Sequence, residues 1–224
     1  PSYKQRVFVV GTGNASEFML QADGITLSIP ALSQASSTAF FNAMPDTDNI
    51  VRSNPLVWVL GEGQNMIYPA LSLEALRLYA GAEKCIVRHD ENGIQEIAIS
   101  QTDIRIPVNQ AGCLKVNYRK VRKDAKSGFA SSFPTYSAFD ILMGKIPSGT
   151  FSNKIVFVGT SAVGLRDVKA TPISPSLSGV EVHANMVDNI LAGDMLMDPT
   201  WMVFVHAAAI TFIGVFLTIF ISRG

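Results

Sequence analysis

Charge is scarce in this sequence. Only 16% of its 224 residues are Asp, Glu, Lys or Arg, against roughly 25% in an average soluble domain. The 18 basic residues balance 18 acidic ones, so no bulk field draws the chain onto DNA or RNA, and a nucleic-acid binder acting through overall charge is excluded. Cysteine is almost lacking. Cys85 and Cys113 have no C-x-x-C spacing and are too few for a disulfide framework or a zinc site. They are either two buried thiols or one pair across neighbouring strands. No metal or cofactor motif stands in the chain, and none is expected. An initiator Met and a signal peptide are missing too, because Pro1-Ser2-Tyr3-Lys4 runs straight into the strand-like Arg6-Val7-Phe8-Val9-Val10. The sequence is therefore expected to be a fragment whose true N-terminus lies upstream.

Apolar residues are abundant, at 48%, and the mean hydropathy of +0.26 is high. Trp201 to Ile221 reads WMVFVHAAAITFIGVFLTIFI with no formal charge. At about 1.5 Å per residue this segment spans roughly 30 Å, the hydrocarbon thickness of a bilayer. A transmembrane helix over 201–221 is expected, in contact with lipid, with Trp201 as an interfacial anchor. His206, near the first interface, suits a hydrogen bond at headgroup depth. Arg223 flanks the far end, and no Lys or Arg lies between Lys169 and the helix. The positive-inside bias then puts residues 222–224 at the cytoplasmic side and residues 1–200 outside the cytoplasm.

Within 1–200 the pattern predicts an α/β domain: a mixed sheet with flanking helices and antiparallel hairpins. Arg6–Val10 reads as a strand, Gly11–Asp23 as a connection and Ala31–Ser36 as a short helix behind Pro30. A strand is expected at Ala39–Phe41, with a meander of Ile50–Arg52 and Leu56–Leu60 turning at Ser53-Asn54-Pro55. Pro69 opens a helix to Tyr79 with Leu71, Ala75 and Leu78 on its buried stripe and Gly81 as its stop. Hairpin strands are expected at Cys85–Arg88, Ile94–Ile99, Ile104–Ile106 and Cys113–Tyr118, and a helix at Tyr136–Met143. Ile155–Gly159 is apolar at every step, the signature of a parallel strand buried on both faces. Ser178 and Glu181 fit a capping box for a helix running to Leu191 and stopped by Gly193. On its wheel His183 joins Met186, Val187 and Ile190, while Glu181, Asn185, Asp188 and Asn189 share a solvated or interdomain face.

The loop Gly159-Thr160-Ser161-Ala162-Val163-Gly164 follows the apolar run. It is neither a nucleophile elbow nor a phosphate loop, being G-x-S-x-x-G without Lys. It reads as a tight turn, with anion or small-ligand binding as the functional alternative, and Ser161 with His183 and Asp167 or Asp188 as the hydrolase alternative. No catalytic residue is assigned. The candidate ligand-binding residues are Thr160, Ser161, Asp167 and His183. Arg119, Lys120, Arg122, Lys123 and Lys126 form a basic run, read as a solvated loop or as a contact for lipid headgroups or anionic polymers.

Several stretches carry a family resemblance: Phe40-Phe41-Asn42-Ala43-Met44-Pro45-Asp46, Tyr68–Ala75, Val116-Asn117-Tyr118-Arg119, and above all Lys154–Leu191 with its Gly-Thr-Ser, Ala-Thr-Pro and Gly-Val-Glu-Val-His-Ala-Asn elements. Together they resemble the second-type CHASE sensor domain, an extracytoplasmic sensory domain of bacterial signalling proteins. The resemblance implies a sensor without catalytic residues of its own, followed by membrane helices and a cytoplasmic output. That output would be a nucleotidyl (adenylate or guanylate) cyclase, or else a histidine kinase, diguanylate cyclase or serine/threonine kinase. It further implies the inner (cytoplasmic) membrane, an unidentified external ligand or protein partner, and a possible homodimer. Glu181, Asn185, Asp188 and Asn189, on the last soluble helix, are the candidates for signal transmission. A structural envelope module is the alternative of another class.

Overall fold

The computed structural model describes residues 6–26, 28–29, 37–61, 66–123, 130–160, 167–199 and 201–222. Strand β1 (Val7–Gly11) lies parallel to β6 (Cys85–Asp90), with Val7 opposite Cys85. From β6 the chain turns at Asp90–Gly93 into antiparallel β7 (Gly93–Ile99), and β7 pairs with β8 (Arg105–Pro107). This gives a four-stranded sheet in the order β1-β6-β7-β8. A second sheet places β2 (Leu20–Ala22) parallel to β4 (Val57–Leu60), and β4 antiparallel to β5 (Met66–Pro69). The remaining pairs are antiparallel: β3 (Ser53–Pro55) with β9 (Cys113–Lys115), β10 (Arg122–Lys123) with β11 (Ala130–Ser131), and β12 (Val168–Thr171) with β13 (Ser174–Ser178). The helices are α1 (Leu71–Tyr79), α2 (Ala138–Leu142), α3 (Gly179–Ala192) and α4 (Met202–Ser222).

One apolar cluster holds these elements together. It joins Val7 of β1, Cys85 and Val87 of β6, Ile94, Ile97 and Ile99 of β7, Leu73 and Leu76 of α1, and Val182, Met186 and Ile190 of α3. At about 1.5–3 kcal/mol for each fully buried large aliphatic side chain, this burial is the principal stabilising contribution. Where α1 meets α3, the Ser72 hydroxyl donates to the Met186 sulfur at 3.7 Å.

The mixed α/β class matches expectation, as do β1, the β6-β7-β8 hairpins and the glycine stops. Gly81, Gly144 and Gly193 each adopt the left-handed conformation expected past a helix end. Other elements differ. The Gly11–Asp23 connection carries β2, and β5 lies just before α1. Strand β3 falls on Ser53-Asn54-Pro55 itself, and Phe40 makes only an isolated bridge to Ala70. Helix α1 starts at Leu71, after the extended Ala70, and the Ala70 and Leu71 N–H groups, which a helix start leaves free, are donated to Leu56 and Phe40. Its buried face is Ser72, Leu73, Glu74, Leu76 and Arg77 rather than Leu71, Ala75 and Leu78. The cause is a bidentate Arg77–Glu74 pair, which carries both charges inside while the guanidinium also donates to the Ala82 carbonyl at 2.5 Å.

Ile155–Gly159 is not a strand buried on both faces. It pairs with no strand among the described residues, and only Ile155 and Phe157 pack on the core, while Val156 and Val158 are exposed. The expected helix at 31–36 lies outside the described residues. Helix α4 is apolar all round, buries nothing against the domain, and over Met202–Ile221 is long and apolar enough to cross a membrane. Thr211 and Thr218 donate their hydroxyls to the carbonyls of Ala207 and Gly214, so these polar groups are satisfied within the helix.

Candidate functional site at the helix before the membrane segment

The chain leaves the domain through α3, whose N-terminus collects part of the predicted ligand set. Ser178 is the N-cap, but its hydroxyl donates to the Thr160 carbonyl at 2.9 Å and makes no cap bond. Asp167 accepts the Gly179 N–H on its own carbonyl at 2.8 Å, and its carboxylate lies against Gly179, where an added Cβ would meet Oδ1 at 2.2 Å. One turn on, His183 is only 1% exposed. Its Nε2 lies 2.9 Å from the Phe41 carbonyl. A carbonyl only accepts, so Nε2 carries the proton and Nδ1 is a buried lone pair without a partner among the described residues. Burial holds this imidazole below its ordinary pKa, against the opposing pull of the Phe41 bond and the Asp167 charge. Thr160, Asp167 and His183 thus gather around the first turns of α3. Ser161 lies outside the described residues. His183 is buried on α3 as Met186, Val187 and Ile190 are, as its place on the wheel predicts, and its Nε2 is committed to Phe41 rather than poised as a general base.

The opposite side of α3, expected to be a solvated or interdomain face, is not solvated at Glu181, Asn185 and Asn189. Asn185 and Asn189 are fully buried, and Glu181 nearly so. The capping box does not form, because the Glu181 carboxylate accepts the Ser132 N–H at 2.9 Å instead of reaching back to Ser178. Asn185 accepts the Arg119 N–H at 2.8 Å, and Asn189 both accepts the Asn117 N–H and donates to the Asn117 carbonyl at 2.9 Å. The spacing explains this fit: residues 117 and 119 of an extended segment are about 7 Å apart, close to the rise of about 6 Å that separates Asn185 from Asn189 on the helix. The helix therefore uses two amides where a neighbouring strand would use its backbone. Burial raises the Glu181 pKa, with the Ser132 N–H and Ser131 hydroxyl opposing.

The same segment, 113–119, also holds the way out to the membrane. Its inner edge pairs with β3, with Val116 donating to Arg52 and Tyr118 to the Val51 carbonyl. Its outer edge takes the exit segment beyond α3: Lys115 bridges Leu196, and the Asn117 side chain donates to the Asp194 carbonyl at 3.1 Å. Arg119 grips Asp188 of α3 through Nε at 2.5 Å and Asp194 through its two terminal nitrogens. Lys115 meets Asp198 at 2.5 Å. These pairs keep Arg119 firmly charged and the Asp194 carboxyl below its usual range. The predicted basic run is therefore divided: Arg119 is half-buried in ion pairs, while Lys120 and Arg122 are exposed. Sequence reasoning missed Asn117, Ser132 and the Phe41 carbonyl. Phe41 and Asn117 carried a signal only by lying in the stretches of family resemblance, and Ser132 carried none. Cys85 and Cys113 are free thiols, which burial pushes up to about 12 and about 11.

Among the described residues no group of His, Cys, Asp and Glu is placed to hold a metal. Neither a curated protein nor a solved structure matches the chain. The CHASE2 domain family does match, over residues 4–221. With nearly its whole length matched and a helix fit to span a bilayer, the chain belongs to the CHASE2 family of extracytoplasmic sensor domains and is a membrane protein.

Proposed function

We propose that this chain is the input module of a bacterial membrane signalling protein that converts an external cue into movement of α3 and the exit segment. Residues 1–200 lie on the extracytoplasmic side of the inner membrane, 201–221 cross it, and the output is a cytoplasmic nucleotidyl cyclase. The observation that carries this reading is the double fastening of 117–119, to Asn185 and Asn189 of α3 on one hand and to the exit segment at Asp194 on the other. The Asn185 and Asn189 contacts repeat at one helical turn, so α3 has two discrete seatings, related by a one-turn slide that moves one Asn onto its neighbour's partner. A cue must bind one seating better than the other. Thr160, Ser161, Asp167 and His183 are the proposed cue contacts, supported by the buried His183 Nδ1, which has no partner among the described residues. Glu181, Asn185, Asp188 and Asn189 are the proposed transmission residues.

The test uses the full-length protein. The coding region beyond Gly224 should encode further membrane helices and a cyclase domain, and insertion of four residues between Met197 and Asp198 should fix cyclic-nucleotide production at one level whatever the input. An immediate stop codon, or regulation that survives the insertion, would refute the proposal.

A further inference from the structure

The ion pairs of the exit segment lie close to where α4 enters the bilayer. Asp198 precedes Met202 by four residues, at most about 14 Å of chain. The headgroup layer is about 5–7 Å deep on each side, and charge acts over about 8 Å more in physiological salt. The Lys115 ammonium, 2.5 Å from Asp198, is therefore within reach of lipid phosphates. Directly after Arg119, the basic run continues at the surface. Lys120 and Arg122 are exposed and carry no ion pair among the described residues. The exit segment itself offers only carboxylates, Asp194 and Asp198.

We propose that Lys115, Arg119, Lys120 and Arg122 form a docking surface for anionic lipid headgroups, which compete with Asp194 and Asp198 for the same cations and so loosen the exit segment. This rests on α4 spanning a bilayer and on the exit segment being the route of transmission. Charge complementarity selects the partner. A negative surface attracts the four cations and repels the two carboxylates paired with them, so both effects open the same contacts. The contacts are open to such competition because the side chains are partly exposed, Lys115 by 38%, Asp198 by 73%, Arg119 by 28% and Asp194 by 41%, and exposed pairs are weak and screened by salt. A membrane surface contributes about fivefold in binding per basic residue near it, comparable with what one such pair holds. The bilayer then sets how readily the segment before α4 comes loose, independently of any cue bound at the far end of α3.

The full chain is reconstituted into nanodiscs of phosphatidylcholine alone or of equal parts phosphatidylcholine and phosphatidylglycerol. Hydrogen exchange is followed in the peptide covering 193–199, where Leu196 bridges Lys115. In the anionic discs, exchange there should rise about fivefold or more at low salt and return to the phosphatidylcholine level at high salt. Lys120→Gln with Arg122→Gln touches no ion pair among the described residues, and should remove most of the rise while leaving exchange in phosphatidylcholine unchanged. Equal exchange in the two lipids, or an undiminished rise in the double variant, overturns the proposal. Inorganic phosphate added to phosphatidylcholine discs should have no effect. A rise equal to that from phosphatidylglycerol would make this a free-anion site and overturn the lipid assignment. None of these outcomes depends on an output domain, so they leave the cyclase test separate.

Discussion

Replacing Asn189 by Leu keeps the volume at a fully buried position but removes both hydrogen bonds to Asn117. The Asn117 N–H and C=O are then left inside without partners, at about 1–3 kcal/mol each. Partial relaxation and water entry bring the expected loss to about 3 kcal/mol, a large fraction of the roughly 5–15 kcal/mol that holds a domain folded. In the full chain in detergent micelles, protection of the Asn117 amide should fall by about a hundredfold, since about 1.4 kcal/mol corresponds to tenfold. Asn189→Asp separates the two bonds. It keeps the acceptor for the Asn117 N–H but turns a carboxylate oxygen toward the Asn117 carbonyl. Burial and that repulsion raise its folded pKa above the unfolded value, so the stability its protonated form contributes is present at low pH and lost as pH rises through the folded pKa. The Asp variant should thus be weak at neutral pH and recover on acidification relative to wild type. A Leu variant within about 0.5 kcal/mol of wild type, the range of an ordinary surface change, would refute the account, as would an Asp variant whose pH profile parallels that of wild type.

Three further outcomes are expected. Arg77→Leu strands the Glu74 carboxylate in the interior, where both side chains are at most 6% exposed, and should cost about 3–5 kcal/mol; chemical denaturation should show part of that loss recovered by adding Glu74→Gln. His183 has a folded pKa held below its ordinary 6.5 by burial, so the unfolded state takes up the proton first and stability should drop as pH falls below 6.5 toward the folded value. Thermal melts of His183→Gln should lack that slope, and an unchanged slope would show that another group is responsible. Gly159→Ala places a Cβ 2.7 Å from the Val180 Cβ on α3 and should cost about 1–3 kcal/mol through overpacking, against a neutral result if the two segments part freely.

Local pattern was legible wherever an element satisfies itself. The hairpins of β6, β7 and β8, the glycine stops and the apolar face of α3 follow from period, turn chemistry and capping positions. Arg6–Thr12 and Lys154–Thr160 show the limit of that reasoning. RVFVVGT and KIVFVGT are nearly the same string, yet the first is a strand because Cys85–His89 pairs with it, while the second has no such ladder among the described residues. A strand is a property of two segments, and one sequence window contains only one of them. The polar face of α3 failed for a related reason. Asn185 and Asn189 look alike whether they meet water or a backbone 66 or 72 residues away. On α1, the Glu74–Arg77 pair put charge on the buried side, inverting the expected stripe.

The seating of 113–119 also has a kinetic consequence. Its neighbours come from β3, from α3 and from the exit segment, and the last two contacts close over 66 to 83 residues of chain. Contacts between such distant residues are slow to form, because loop closure must come before any gain from the pairing. The join between domain and membrane helix should therefore be among the last to assemble. A chain that stalls earlier in folding would carry α4 beside a domain that has not yet closed its contacts with the exit segment.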